Sequence, residues 1–128
     1  MVKTTFEALG GFFFPARRRR LLAALERSLP AKLNAFSAQF RAAHRAAQPF
    51  LLREEERPIW AGPSPLVAGF LGADLNFRIA RTSFATGDYL SCKRALEIAI
   101  RCLRESQQAA ESMFGSDQVT ALLYDGLN

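Results

Sequence analysis

The sequence predicts an all-α protein, an antiparallel bundle of about four main helices with a short further helix near the C-terminus. Three observations carry that expectation. Apolar residues recur at alternating spacings of three and four in successive segments, the period of a helix with one buried face. Proline, glycine and N-capping residues gather between those segments. No segment keeps the period-two alternation of a half-buried strand for long enough to count.

Residues 1–15 read as an irregular entry segment. Gly10-Gly11 loosens the backbone, and Phe12-Phe13-Phe14-Pro15 follows. Three successive rings cannot all face one core, so some of them meet a neighbouring element or a partner. Residues 16–29 read as a first helix, with Leu21, Leu22, Leu25 and Leu29 at helical spacing and Pro30 as its end. Residues 31–53 read as a second, on the seam Leu33, Phe36, Phe40, Ala43, Ala47 and Phe50, with Pro49 set to kink or end it. Residues 54–64 read as the connection between two helical hairpins in one domain of 128 residues, because three glutamates lead into a cluster of prolines and Gly62.

Ser64-Pro65 is a helix start, with serine as N-cap and proline at the first position. The third helix carries Phe70, Ala73, Phe77, Ala80 and Phe84, with Asp74, Arg78 and Arg81 off that seam. Gly87-Asp88 breaks it. The fourth runs from about Asp88 to Phe114 on a stripe of Cys92, Ala95, Leu96, Ala99, Cys102, Leu103, Ala109 or Ala110, and Met113. Gly115 stops it, and Ser116-Asp117 caps a short final helix over 117–125.

Net charge is +5, unevenly spread. Residues 1–60 hold eleven Lys/Arg against five Asp/Glu, and residues 61–128 hold six against seven. A basic half suits nucleic acid, an anionic surface or an acidic protein, and equally a plain solvated face. Cys92 and Cys102 point to different sides of one helix, so they cannot pair within it. Reduced thiols fit a cytoplasmic protein. The longest uncharged stretch, Pro58 to Ala73, holds three prolines and is too short to span a bilayer. No secretory signal is expected, since Glu7 interrupts the apolar start and Arg17 to Arg20 stand where a cleavage site belongs.

Catalysis needs positioned acids, bases, nucleophiles or metals. The sole histidine, His44, lies one residue past the Ala43 seam position and reads as a boundary residue. With one histidine and two diverging cysteines a zinc site is not expected, and no glycine-rich phosphate loop is present. A dyad of His44 with Cys92 or Cys102 is formally open, though nothing in the sequence favours it. The expectation is a non-enzymatic protein with no cofactor and no metal.

Arg17-Arg18-Arg19-Arg20 sits at a helix start, where the dipole disfavours cations by about 0.3–1 kcal/mol per charge at most. Such a disadvantage hints at an anionic partner, and Arg41 and Arg45 extend the same basic character. Lys93, Arg94, Arg101 and Arg104 form a weaker set.

Residues 76–100 resemble one tetratricopeptide unit, with Ile79, Ala80, Phe84, Gly87-Asp88-Tyr89 and Ala99 at its apolar, small and turn positions and Cys92 in place of the usual alanine. Residues 64–125 resemble the flagellin-specific export chaperones. The shared order is Ser64-Pro65, Phe70 to Phe84, Gly87-Asp88, the Cys92-to-Leu103 helix, Gly115 and Leu122-Leu123-Tyr124-Asp125. That family is built as small helical bundles that wrap a flagellin tail, which implies a partner-holding protein. Here the Ser-Pro helix is about a turn short, the family's further helix is missing, and the first sixty residues have no counterpart.

Two functions are therefore expected. One is a protein-binding adaptor or chaperone-like assembly subunit, with a groove between helices for a partner's amphipathic helix and with Phe12, Phe13, Phe14 and Trp60 as anchors. The alternative is a small basic subunit of a larger ribonucleoprotein, in the manner of CRISPR small subunits. Arg17, Arg18, Arg19, Arg20, Arg41 and Arg45 would then hold the phosphates of RNA or DNA. A homodimer is compatible with either.

Overall fold

A computed structural model of the chain describes residues 15–62 and 64–115. Three helices run up, down and up: α1 (Pro15–Glu55), α2 (Pro65–Ala85) and α3 (Tyr89–Phe114). No strand occurs among the described residues. The expected final helix at 117–125 and the Phe12–Phe14 cluster lie outside them.

The first two predicted helices are one. Pro30 and Pro49 both lie inside α1, which continues for 41 residues, about 60 Å. A proline inside a helix removes one hydrogen bond and crowds the carbonyl four residues back, at a cost of about 3 kcal/mol. Against that cost, Leu25, Leu29, Leu33 and Phe36 lie on one face across Pro30 and all four are buried. Each such side chain contributes about 1.5–3 kcal/mol by leaving water, so together they outweigh the proline. Pro30 itself is exposed. Ala47, Phe50 and Leu51 bury the helix across Pro49 in the same way. The first turns fall off the predicted stripe, for Leu21 is exposed and Leu22 only half-buried.

After α1 the chain is held by Arg57. Its guanidinium pairs with Glu54 at 3.2 Å and donates to the Ala61 carbonyl at 3.3 Å. A single 3-10 turn, Ile59–Ala61, follows. Ser64 then caps α2, its hydroxyl accepting from the Val67 amide, with Pro65 at the first position as expected. At the far end Gly87 takes a φ of +83°, a conformation that a side chain would strain. The Gly87 amide donates to Phe84 and the Asp88 amide to Ser83, closing a Schellman turn. Asp88 accepts from the Ser91 amide and starts α3 within the same four residues.

The backbones of α2 and α3 run close together. Gly69, Ala73 and Ala80 face Cys92, Ala95, Ala99 and Ser106, all buried. A Cβ added at Gly69 would run into Ser106 Oγ and stand 3.0 Å from the Cys102 carbonyl. Ser106 Oγ donates across the interface to the Leu66 carbonyl, at 3.4 Å. By contrast α1 reaches the hairpin through long side chains. The Phe36 and Phe77 ring centroids are 5.0 Å apart, and those of Phe40 and Phe70 5.9 Å.

Candidate functional site

Because α1 stands off on leucine and phenylalanine side chains, its seam with α2 is open at the surface. Two depressions, of about 400 Å³ and about 380 Å³, follow one another along that seam. On α1 their wall is Pro30, Asn34, Ser37, Arg41, His44, Gln48, Leu51 and Glu55, alternately four and three residues apart. On α2 it is Val67, Phe70, Asp74, Phe77, Arg81 and Phe84, alternately three and four apart, and Leu33, Phe40 and Leu71 also line the depressions. Both spacings keep a helix facing one line, so the two depressions follow one seam, about 38 Å along α1 and about 26 Å along α2.

The groove's wall is aromatic at its centre. His44 stacks on Phe40 at 5.9 Å and meets the edge of Phe70 at 5.6 Å. The Arg81 guanidinium lies 5.9 Å from the Phe77 ring centroid, close enough for the ring face to attract it. Charge divides the groove. The depression toward the end of α2 holds Arg41 and Arg81 and no carboxylate; the one toward its start holds Glu55 and Asp74 and no Lys or Arg.

Trp60 is 87% exposed on the 3-10 turn, five residues beyond Glu55. The phenylalanine anchors at 12–14 lie outside the described residues. Arg17, Arg18, Arg19 and Arg20 are all exposed near the start of α1, whose first turn contains no Asp or Glu. Arg20 Nε donates to the Ala16 carbonyl, and Arg41 donates to Ser37 Oγ at 2.9 Å. Helix rise puts Arg20 and Arg41 about 32 Å apart, so the predicted basic residues form no compact patch. Exposed Arg27 lies between them.

Both cysteines are free thiols on α3. Burial pushes the Cys92 and Cys102 pKa values up, which disfavours the reactive thiolate. His44 contacts rings rather than thiols. Among the described residues no three His, Cys, Asp or Glu side chains are grouped to hold a metal ion. No helix there is long and apolar enough to cross a membrane.

Two surfaces have no counterpart in the sequence reading. One is the groove wall on α1, whose polar and apolar residues share a spacing but no hydropathy signal. The other is a row of exposed apolar residues on α2: Leu71 at 64%, Leu75 at 59% and Ile79 at 45% exposure. Their spacing of four was the available signal, overshadowed by the phenylalanine seam on the opposite face.

The fold and groove define a class, a helical protein with an open inter-helix groove. Comparison with protein-family models, curated proteins and solved structures finds no match to this chain.

Proposed function

We propose that the protein is a non-enzymatic adaptor or chaperone-like assembly subunit whose α1–α2 groove holds an amphipathic helix of another protein. The observation that carries this reading is the groove itself, two regularly spaced walls, about 38 Å long on α1 and about 26 Å on α2, with aromatic rings between them. A helix laid in such a groove presents apolar residues at i, i+3/i+4 and i+7. Charge adds a direction. Acidic side chains of the guest meet Arg41 and Arg81, and basic ones meet Glu55 and Asp74. Trp60 is an anchor at the acidic end. The resemblance of residues 64–125 to flagellin-specific export chaperones points to the same kind of role. A short helix at 117–125, the absence of cofactor or metal, and a cytoplasmic location belong to this reading.

The test is fluorescence anisotropy with a labelled helical peptide, acidic at one end, basic at the other and apolar along one face. The expected result is saturable binding, lost when the apolar spacing is scrambled and weakened when the peptide is made uniformly basic. Ser37→Trp and Gln48→Trp, which fill the groove from its rim, abolish it. Equal binding by patterned and scrambled peptides overturns the reading.

A second reading rests on a separate observation. No Asp or Glu occurs between Arg27 and Arg53, and Arg27, Arg41 and Arg45 are exposed. Arg27 and Arg45 are five full turns apart and stand in line on the outer side of α1, which suits the phosphates of RNA or DNA. On this reading Arg17 to Arg20 continue the track. Single-stranded RNA then binds with an affinity that falls steeply as salt rises, and Arg27→Ala/Arg45→Ala flattens that slope.

A further inference from the structure

The outer face of α2 meets the groove only at Leu71 and Asp74, and its chemistry fits a copy of itself. Leu75 is nine residues from both Leu66 and Phe84, which places it on the opposite side of the helix from these two core positions. Leu71 and Ile79 stand one turn before and one turn after it, so three large apolar side chains form a row about 12 Å long, open to water. One flank of the row carries Asp74 and Arg78, ion-paired at 3.1 Å. The other flank carries Gly72 and Asn76, without charge, and the Asn76 amide is occupied by the Gly72 carbonyl.

We propose that a second copy of this chain packs on this face, with the two α2 helices antiparallel about a two-fold axis through Leu75. Leu71 of each copy then meets Ile79 of the other, and the two Leu75 side chains meet at the axis. The charges select this arrangement. A two-fold axis that reverses one helix brings like flanks together in opposite order. Each Asp74 carboxylate then lies between its own Arg78 and the Arg78 of the second copy. A parallel pairing would set Asp74 and Arg78 against the neutral Gly72 and Asn76 flank, desolvating both charges with no new partner. The row is also symmetric about Leu75 in size, which a closed pair of identical faces requires.

The experiment is sedimentation velocity of the full chain over a range of concentrations, with circular dichroism to check folding. The wild-type chain is expected to be a dimer that dissociates on dilution. Leu75→Glu/Ile79→Glu, two exposed positions outside the groove, is expected to be a helical monomer. Arg78→Asp weakens the dimer tenfold or more, as does Asp74→Arg. The double reversal Asp74→Arg/Arg78→Asp restores it to within about threefold, because the pairing is symmetric. If the leucine variant fails to fold, the charge series decides. A wild-type chain that stays monomeric up to about 1 mM overturns the proposal. So does a dimer that survives Leu75→Glu/Ile79→Glu, or a double reversal no better than the single ones. Peptide binding in the groove is measured separately on Leu75→Glu/Ile79→Glu and Arg78→Asp, because Asp74 also lines the groove and its reversal is expected to alter guest binding as well as the dimer.

Discussion

Across the α2–α3 interface the facing residues include Gly69, Ala73, Ala80, Ala95 and Ala99; on α1 most are large, Leu25, Leu29, Leu33, Phe36, Phe50 and Leu51, with Ala43 and Ala47 between them. Small side chains let two backbones approach, and the short Gly87-Asp88 turn joins them with the Gly87, Asp88 and Ser91 amides engaged. Large side chains hold α1 at a distance and leave a groove beside it. The hairpin is thus set by close backbone approach and local turn chemistry, and α1 by burial of a few big groups. The lesson is that one helix of the bundle is placed by contacts that stop short of closing its seam, which is where a guest has room.

The largest test of that contrast is Phe36→Ala. Its ring is buried and touches both Phe40 and Phe77, so the loss expected in urea denaturation is about 3–5 kcal/mol. A loss under about 1 kcal/mol would mean that α1 is held by something other than its aromatics. Next comes Pro30→Ala, which restores a helical hydrogen bond at an exposed position. It should stabilise by about 2 kcal/mol in thermal melts, the helix gain less a smaller effect on the unfolded chain. A loss instead would show that the ring is part of the packing.

Gly69→Ala probes the hairpin. Alanine favours helix by about 1 kcal/mol, yet the added Cβ meets Ser106 Oγ and the Cys102 carbonyl, for a net loss of about 1–2 kcal/mol. A neutral result would mean that α2 and α3 can part slightly at no cost. The smallest effect belongs to Asp88, whose pKa is held below the usual carboxylate value by hydrogen bonds from Ser91 and by nearby Arg94. A lowered folded pKa gives stability above the unfolded value near 3.9 that is lost as pH falls through the folded value. Asp88→Asn keeps a cap but removes the titration, so the stability difference between the two proteins should shrink below about pH 4. A difference unchanged down to about pH 2 would exclude the carboxylate as its source.

Much of this arrangement was legible in the sequence. The phenylalanine and alanine seams, the Ser64-Pro65 start and the Gly87-Asp88 turn follow from local spacing and capping chemistry, and all three are found. The fusion of the first two helices was not legible. Proline's local penalty is visible in one sequence window, whereas the burial that overrides it comes from α2 and α3. A groove between helices was expected but its wall was not legible, since Pro30, Asn34, Ser37, Arg41, His44, Gln48, Leu51 and Glu55 share only geometry. The row on α2 was obscured for a different reason. Leu71, Leu75 and Ile79 oppose Phe70, Phe77 and Phe84, so apolar residues on both sides blur any single periodic stripe.

Trp60 is the chain's sole tryptophan, and it is nearly bare, five residues beyond Glu55 of the groove's acidic end. Its indole already sits in water when the protein is folded, so intrinsic emission changes little on denaturation. The proposed guest helix, if it covers this ring, is expected to shift that emission to the blue. On the proposed function the molecule therefore carries a built-in optical reporter, nearly silent to unfolding and expected to respond to occupancy.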